Sequence, residues 1–188
     1  MKLAHAVALS ALAVAGLAAM PAQAGTQTRT VTTPGARLCT LSIPTTDTGV
    51  RPKATGFRNE GKTDAFVICA FDSAPGQTDN AASEQESDPY VITLYFASMD
   101  GKVHTFNCTG VNSWPAPIAS AAVPVQYSGK NVVVDPNDPS LEQIAWTHWD
   151  FGGTANIPTS GSFSVTCLLP PGVAILLGRL AAVEDVGS

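Results

Sequence analysis

The stretch QIAWTHWDF, residues 143–151, gathers the side chains best suited to chemistry in this chain. Trp146 and Trp149 stand three apart, with His148 and Asp150 beside them. In a strand, alternate residues share a face, so Ile144, Trp146, His148 and Asp150 lie on one side. Ala145, Thr147, Trp149 and Phe151 lie on the other. The apolar company of Trp149 places it in the core and leaves Trp146 outside with His148 and Asp150. An exposed indole beside polar groups is a surface on which a pyranose ring can stack, and it is also how a protein interface is built. A plainer alternative is a Trp146 covered by a loop such as 113–121, which carries Trp114. The ligand-binding candidates are therefore Trp146, His148, Asp150 and Trp114.

Other chemistries find less support. There is no GxSxG elbow, and nothing ties a serine to a histidine. His104 and His148 both fall inside strand-like runs, whereas catalytic groups more often sit on loops, so no catalytic residue is assigned. A glycosidase needs two carboxyls flanking a cleft, and nothing selects a pair among Asp135, Asp138, Glu142 and Asp150. The segment DPNDPSLE (135–142) has oxygen ligands that suit calcium but lacks the glycine and spacing of an EF-hand loop. The acidic loop 79–88 is a second oxygen-rich stretch. Neither assigns a metal, and no cofactor is expected. RPKATGFRNEG (51–61) is the most basic patch. Read as one strand, it puts Lys53 and Arg58 on opposite faces, as ordinary edge-strand charge. Asn107-Cys108-Thr109 matches a glycosylation sequon, which carries no meaning if Cys108 is in a disulfide and the cell is bacterial.

The elements that must hold these residues are strands. Short runs rich in Val, Ile, Thr, Phe and Tyr are cut by Gly, Pro, Asn and Asp, and no long run has helical periodicity. The runs are RTVTT (29–33), ARLCTLSI (36–43), KATGFRN (53–59), DAFVICAF (64–71), YVITLYFASM (90–99), KVHTFNCTG (102–110), VPVQYS (123–128), NVVVD (131–135), LEQIAWTHWDF (141–151), SFSVTCLL (162–169) and VAILLGRLAAVE (173–184). The third and fourth, joined by EGKT, read as an antiparallel hairpin. Asp100-Gly101 between two apolar runs is the signal for a type I′ hairpin, which would set Ala97 against His104, Tyr95 against Phe106 and Thr93 against Cys108. The polar segment 72–89 reads as an exposed loop, and the proline-broken 111–127 as a crossing loop that leads into the strand 123–128. Nine or ten short strands in one domain, 25–188, predict an antiparallel β-sandwich, with a closed barrel as the alternative.

The N-terminus reads as an export signal. Lys2 precedes the apolar run 6–20, Pro21 breaks it, and Ala22-Gln23-Ala24 is a small-x-small cleavage site. The run is short of the roughly 20 residues a membrane span needs, so the mature chain is expected to hold no span. Loss of residues 1–24 takes Lys2 and moves the formal charge from −5 to −6. An acidic chain without a basic cluster is a poor nucleic-acid binder. The four cysteines, Cys39, Cys69, Cys108 and Cys167, form an even set without CxxC spacing, which in an exported chain reads as two disulfides. Three pairings are open. Cys39–Cys69 and Cys108–Cys167 are favoured, because the first joins early neighbouring elements and the second joins two strands of similar character.

The leader, the cysteine before LSIPTT, the block RPKATGFRNEG followed by FVICAF, and the late VTCLLPPG together resemble small uncharacterised exported proteins of Gram-negative bacteria. The resemblance implies a periplasmic or secreted, disulfide-bonded, all-β protein and brings no activity with it. The expected function is a non-enzymatic binding or structural role at or beyond the cell envelope, with a glycan or envelope protein as partner. The rival readings are a carbohydrate-active hydrolase and a fibre or coat subunit that donates the strand GTQTRTVTT (25–33).

Overall fold

A computed structural model describes residues 26–43, 49–71, 90–113, 126–151 and 162–185. These hold eleven strands: β1 (Thr26–Pro34), β2 (Cys39–Leu41), β3 (Val50–Lys53), β4 (Gly56–Asn59), β5 (Ala65–Phe71), β6 (Tyr90–Ser98), β7 (His104–Ser113), β8 (Gln126–Val134), β9 (Gln143–Thr147), β10 (Ser162–Leu169) and β11 (Val173–Asp185). A single helical turn, α1 (Gly35–Leu38), separates β1 from β2. The expected leader 1–24, the polar segment 72–89 and Trp114 lie outside the described residues, as do 44–48, 114–125 and 152–161.

The strands form two antiparallel sheets that do not close into a barrel. Sheet I runs β3-β4-β11-β6-β9, with β1 on β11 beside β4. Sheet II runs β2-β5-β10-β7-β8. The alternation in AFVICAF is the plainest cause: Ala65, Val67, Cys69 and Phe71 are buried, and the residues between them face out. The core between the sheets holds Ile92, Leu94 and Phe96 from β6 against Phe106, Val132, Val165 and Leu169. Phe96 and Phe106 meet edge to face with ring centroids 5.3 Å apart. On one flank α1 plugs the gap. Leu38 is buried over Gly178, where an added Cβ would lie 2.3 Å from Leu38 Cδ2. This is why a strand as long as β11 carries a glycine at its middle.

Both disulfides have the favoured pairing, Cys39–Cys69 and Cys108–Cys167. Each joins residues directly opposite on neighbouring strands, β2 with β5 and β7 with β10. They staple strands within sheet II rather than sheet to sheet.

Two expected hairpins do not form. The chain crosses between sheets at both places. β6 pairs with β11 and β9, while β7 pairs with β10 and β8, so Ala97, Tyr95 and Thr93 do not face His104, Phe106 and Cys108. The connection spans 99–103, and Asp100 organises it: its carboxylate accepts from Ser98 Oγ, Lys102 N and His104 Nε2. Each run gains two sheet neighbours this way, where a hairpin would have set them side by side. Likewise β4 pairs with β3 and β11 in sheet I, and β5 belongs to sheet II. Asn59 makes that crossing. It is buried at 2% exposure, its Nδ2 donates to Thr63 O and Leu169 O, and its Oδ1 accepts from Gly61 N. A third difference is that the described end of VPVQYS, Gln126–Ser128, runs on through Gly129 and Lys130 into Asn131–Val134 as one strand, β8.

Candidate functional site

The QIAWTHWDF stretch is a seam between the sheets. Strand β9 ends at Thr147, and His148–Phe151 turn into a 3-10 helix. Asp150 causes the break: its Oδ2 accepts from Thr147 N at 2.8 Å, where a continuing strand would have kept extending. The face assignment is therefore reversed. Trp146 pairs with Ile92 on the inward side and is fully buried, while Trp149 is 65% exposed. Asp150 faces inward to Lys130, whose Nζ lies 2.8 Å from Oδ1. Only the backbone of His148 is described, and the strand relation that would set it beside Asp150 is gone.

Trp146 and Lys130 lace the two edge strands to each other. Trp146 Nε1, on β9, donates to Ser128 O of β8 at 3.0 Å. Lys130 Nζ, on β8, donates to Ala145 O of β9 at 2.7 Å. Each side chain caps a carbonyl that an incoming strand would use, which is one way to protect an edge. The indole lies on Gly110 of β7, where a Cβ would come within 2.8 Å of Nε1.

The acids are likewise in use locally. Asp135 Oδ1 accepts from Asn137 N and Nδ2, and Asp138 Oδ1 accepts from Ser140 N and Oγ. These are turn-capping roles, and no group of three or more His, Cys, Asp or Glu that could hold a metal occurs among the described residues. Asp100 is held down at about 2, from an ordinary 3.8, first by the His104 hydrogen bond and then by the Lys102 backbone N–H.

The surface that stands out is one the sequence did not single out, the outer face of sheet II. Its central row crosses all five strands: Thr40, Ile68, Thr166, Thr109 and Gly129. The row on one side is Ala70, Ser164, Val111 and Tyr127. On the other side Phe66 faces Leu168, and Asn107 faces Asn131. None of these described positions carries a charge. Tyr127 is 68% exposed and Phe66 55%. The signal was in the sequence as the uncharged alternate residues of SFSVTCLL and TFNCTG, but it becomes a surface only once register places them together.

No family model and no curated protein matches the chain. Among solved structures, a Family 11 carbohydrate-binding module from Clostridium thermocellum, in complex with a β-1,3-1,4-mixed-linked tetrasaccharide, overlaps 87% of this chain and 88% of its own. The identity is 10% and the TM-score 0.33, too loose a superposition to carry over its ligand or its site.

Proposed function

We propose that this is an exported, non-enzymatic binding protein that holds an uncharged glycan chain against the outer face of sheet II. The observation that carries the reading is that face: hydroxyl and amide groups between an exposed Tyr127 and an exposed Phe66, with no charge among the described positions. Threonine, serine and asparagine can both donate to and accept from sugar hydroxyls, and an aromatic ring offers an apolar plane to a pyranose. A neutral ligand docks there without stripping water from any ionised group. Export rests on the leader 1–24. The two disulfides agree with it, since such bonds persist in oxidising compartments. No helix among the described residues is long and apolar enough to cross a membrane. The ring of Trp146 is inside, so the exposed indole is that of Trp149, on the 3-10 turn that follows β9 of sheet I and lies beside β8, the edge of sheet II.

The test is isothermal titration with neutral polysaccharides (mixed-linkage glucan, xylan, mannan) and with anionic alginate, for wild type, Tyr127→Ala and Thr109→Lys. Saturable binding of a neutral polymer is expected, and each variant should weaken it about tenfold, the value of one lost polar or stacking contact. No binding to any neutral polymer would overturn the reading, as would variants that bind like wild type. Release of new reducing ends in the same mixtures would favour the hydrolase instead.

A further inference from the structure

The basic block RPKATGFRNEG forms a tight hairpin rather than a single strand, and this changes where its charges go. The turn at Ala54 and Thr55 returns the chain so that Arg51 faces Arg58 and Lys53 faces Gly56. All three cations lie on the outer side of sheet I. Like charges directly opposite on a ladder repel, and one acid answers them. Glu60 Oε2 lies 3.2 Å from Lys53 Nζ and 3.8 Å from Arg51 Nε.

Arg58 has no carboxylate within ion-pair distance among the described residues. A terminal nitrogen donates to Thr55 Oγ1. Its Nε is shielded from solvent and has no hydrogen-bond partner there. A shielded guanidinium donor left unpaired is costly. Beside it opens a cleft of about 400 Å³ between Arg58, Glu60, Met99, Asp100 and the turn at Pro171 and Gly172, a size suited to a small molecule. The two acids on its wall have their own partners: Glu60 has Lys53 and Arg51, and Asp100 has Lys102 at 3.9 Å and a hydrogen bond with His104 at 2.8 Å. The charge left over in the cleft is that of Arg58.

We propose that the cleft binds a small ligand bearing an oxyanion (phosphate, sulfate or carboxylate) that supplies the acceptor missing at Arg58, with Arg51 directly opposite on the ladder as the nearest second cation. A guanidinium suits this task because Nε and a terminal nitrogen present two parallel donors to one oxyanion. Nε is shielded as it stands, so binding through it requires the Arg58 fork to turn toward the cleft. The site lies on the opposite sheet from the glycan face and stands independently of that reading.

The test is side-chain NMR of the full chain, following the Nε–Hε signals of its five arginines. Inorganic phosphate, then sulfate, is titrated against sodium chloride of matched ionic strength. Saturable shifts confined to Arg58 and Arg51 are expected, and Arg58→Gln should weaken binding about tenfold, one charge-assisted bond. A glucuronate arm separates a sugar-borne carboxylate, which would bind more tightly than acetate, from a free inorganic anion. Signals of Arg29, Arg37 and Arg179 moving in step with Arg58, as in chloride, would sink the proposal. So would an Arg58→Gln protein that binds like wild type. If that variant does not fold, Arg51→Gln at an exposed position takes its place, and undiminished binding there overturns the proposal equally.

Discussion

The two outer faces of the sandwich differ in what they carry and in what stiffens them. Sheet I shows Arg51 and Lys53 on β3, Arg58 on β4 and Arg179 on β11, each on the outward side. Sheet II shows hydroxyls, amides and two exposed aromatics. All four cysteines belong to sheet II, facing inward beneath that uncharged face. Charge on a sheet keeps it hydrated and discourages pairing with other chains. A face without charge gives up that protection, and the one here is also the face whose strands are cross-linked. Stapled strands hold their outward side chains in fixed relative positions, which lowers the ordering cost of binding. The proposed ligand face therefore lies where charge is missing and rigidity is built in, rather than at the most conspicuous aromatic in the sequence.

The largest effect should come from breaking what both faces share. Trp146→Ala removes the seam indole, leaves a cavity over Gly110 and frees the Ser128 carbonyl. A loss of about 3–5 kcal/mol is expected, read by urea denaturation, with binding at both faces lost together. A variant that keeps wild-type stability would mean that the seam is not what joins the sheets.

A smaller loss should separate the faces. Replacing Cys108 and Cys167 together by alanine should cost about 2–4 kcal/mol and weaken glycan binding, although no outward residue changes. Oxyanion shifts at Arg58 should persist. Equal weakening at both faces would show that the staple acts on the whole fold rather than on sheet II.

How much of this the sequence carried depends on the range of the interaction. The composition of a strand is local, so DAFVICAF and SFSVTCLL read correctly as strands, and of three open disulfide pairings the favoured one, early neighbours for Cys39–Cys69 and similar strands for Cys108–Cys167, is the one that forms. Sheet membership is not local. Asp100-Gly101 has the composition of a hairpin turn, yet the chain crosses there: β6 pairs with the distant β9 and β11 of sheet I, and β7 with β8 and β10 of sheet II. The tryptophan faces were misread for a related reason. Alternation was carried past Thr147, where the Asp150 carboxylate stops the strand. Ile144 beside Trp146 was the available hint of an inward face, and an acid three residues after Thr147 was the hint of a break. The charge-free face was invisible as such, because it is a property of register across five strands.

The smallest effect tests the comparison by pH. The described positions on the sheet II face carry no Asp, Glu, His, Lys or Arg, so affinity for a neutral glycan should stay flat from pH 5 to about pH 8, as read by titration calorimetry. A bell or step in that range would place an ionising group in the binding surface. The crossing beneath sheet I behaves otherwise. Asp100 has its folded value depressed to about 2 from 3.8, so its contribution is complete above 3.8 and is lost as pH falls from there through 2. Asp100→Asn cannot titrate, and the gap in urea midpoint between wild type and variant should narrow over that interval. A gap that stays constant down to pH 2 would mean that the carboxylate's bonds to His104 and to the Lys102 backbone do not hold the crossing closed. The turn would then owe its shape to Gly101, whose φ of 75° favours glycine, and to the Met99 N–H donating to Gly172 O.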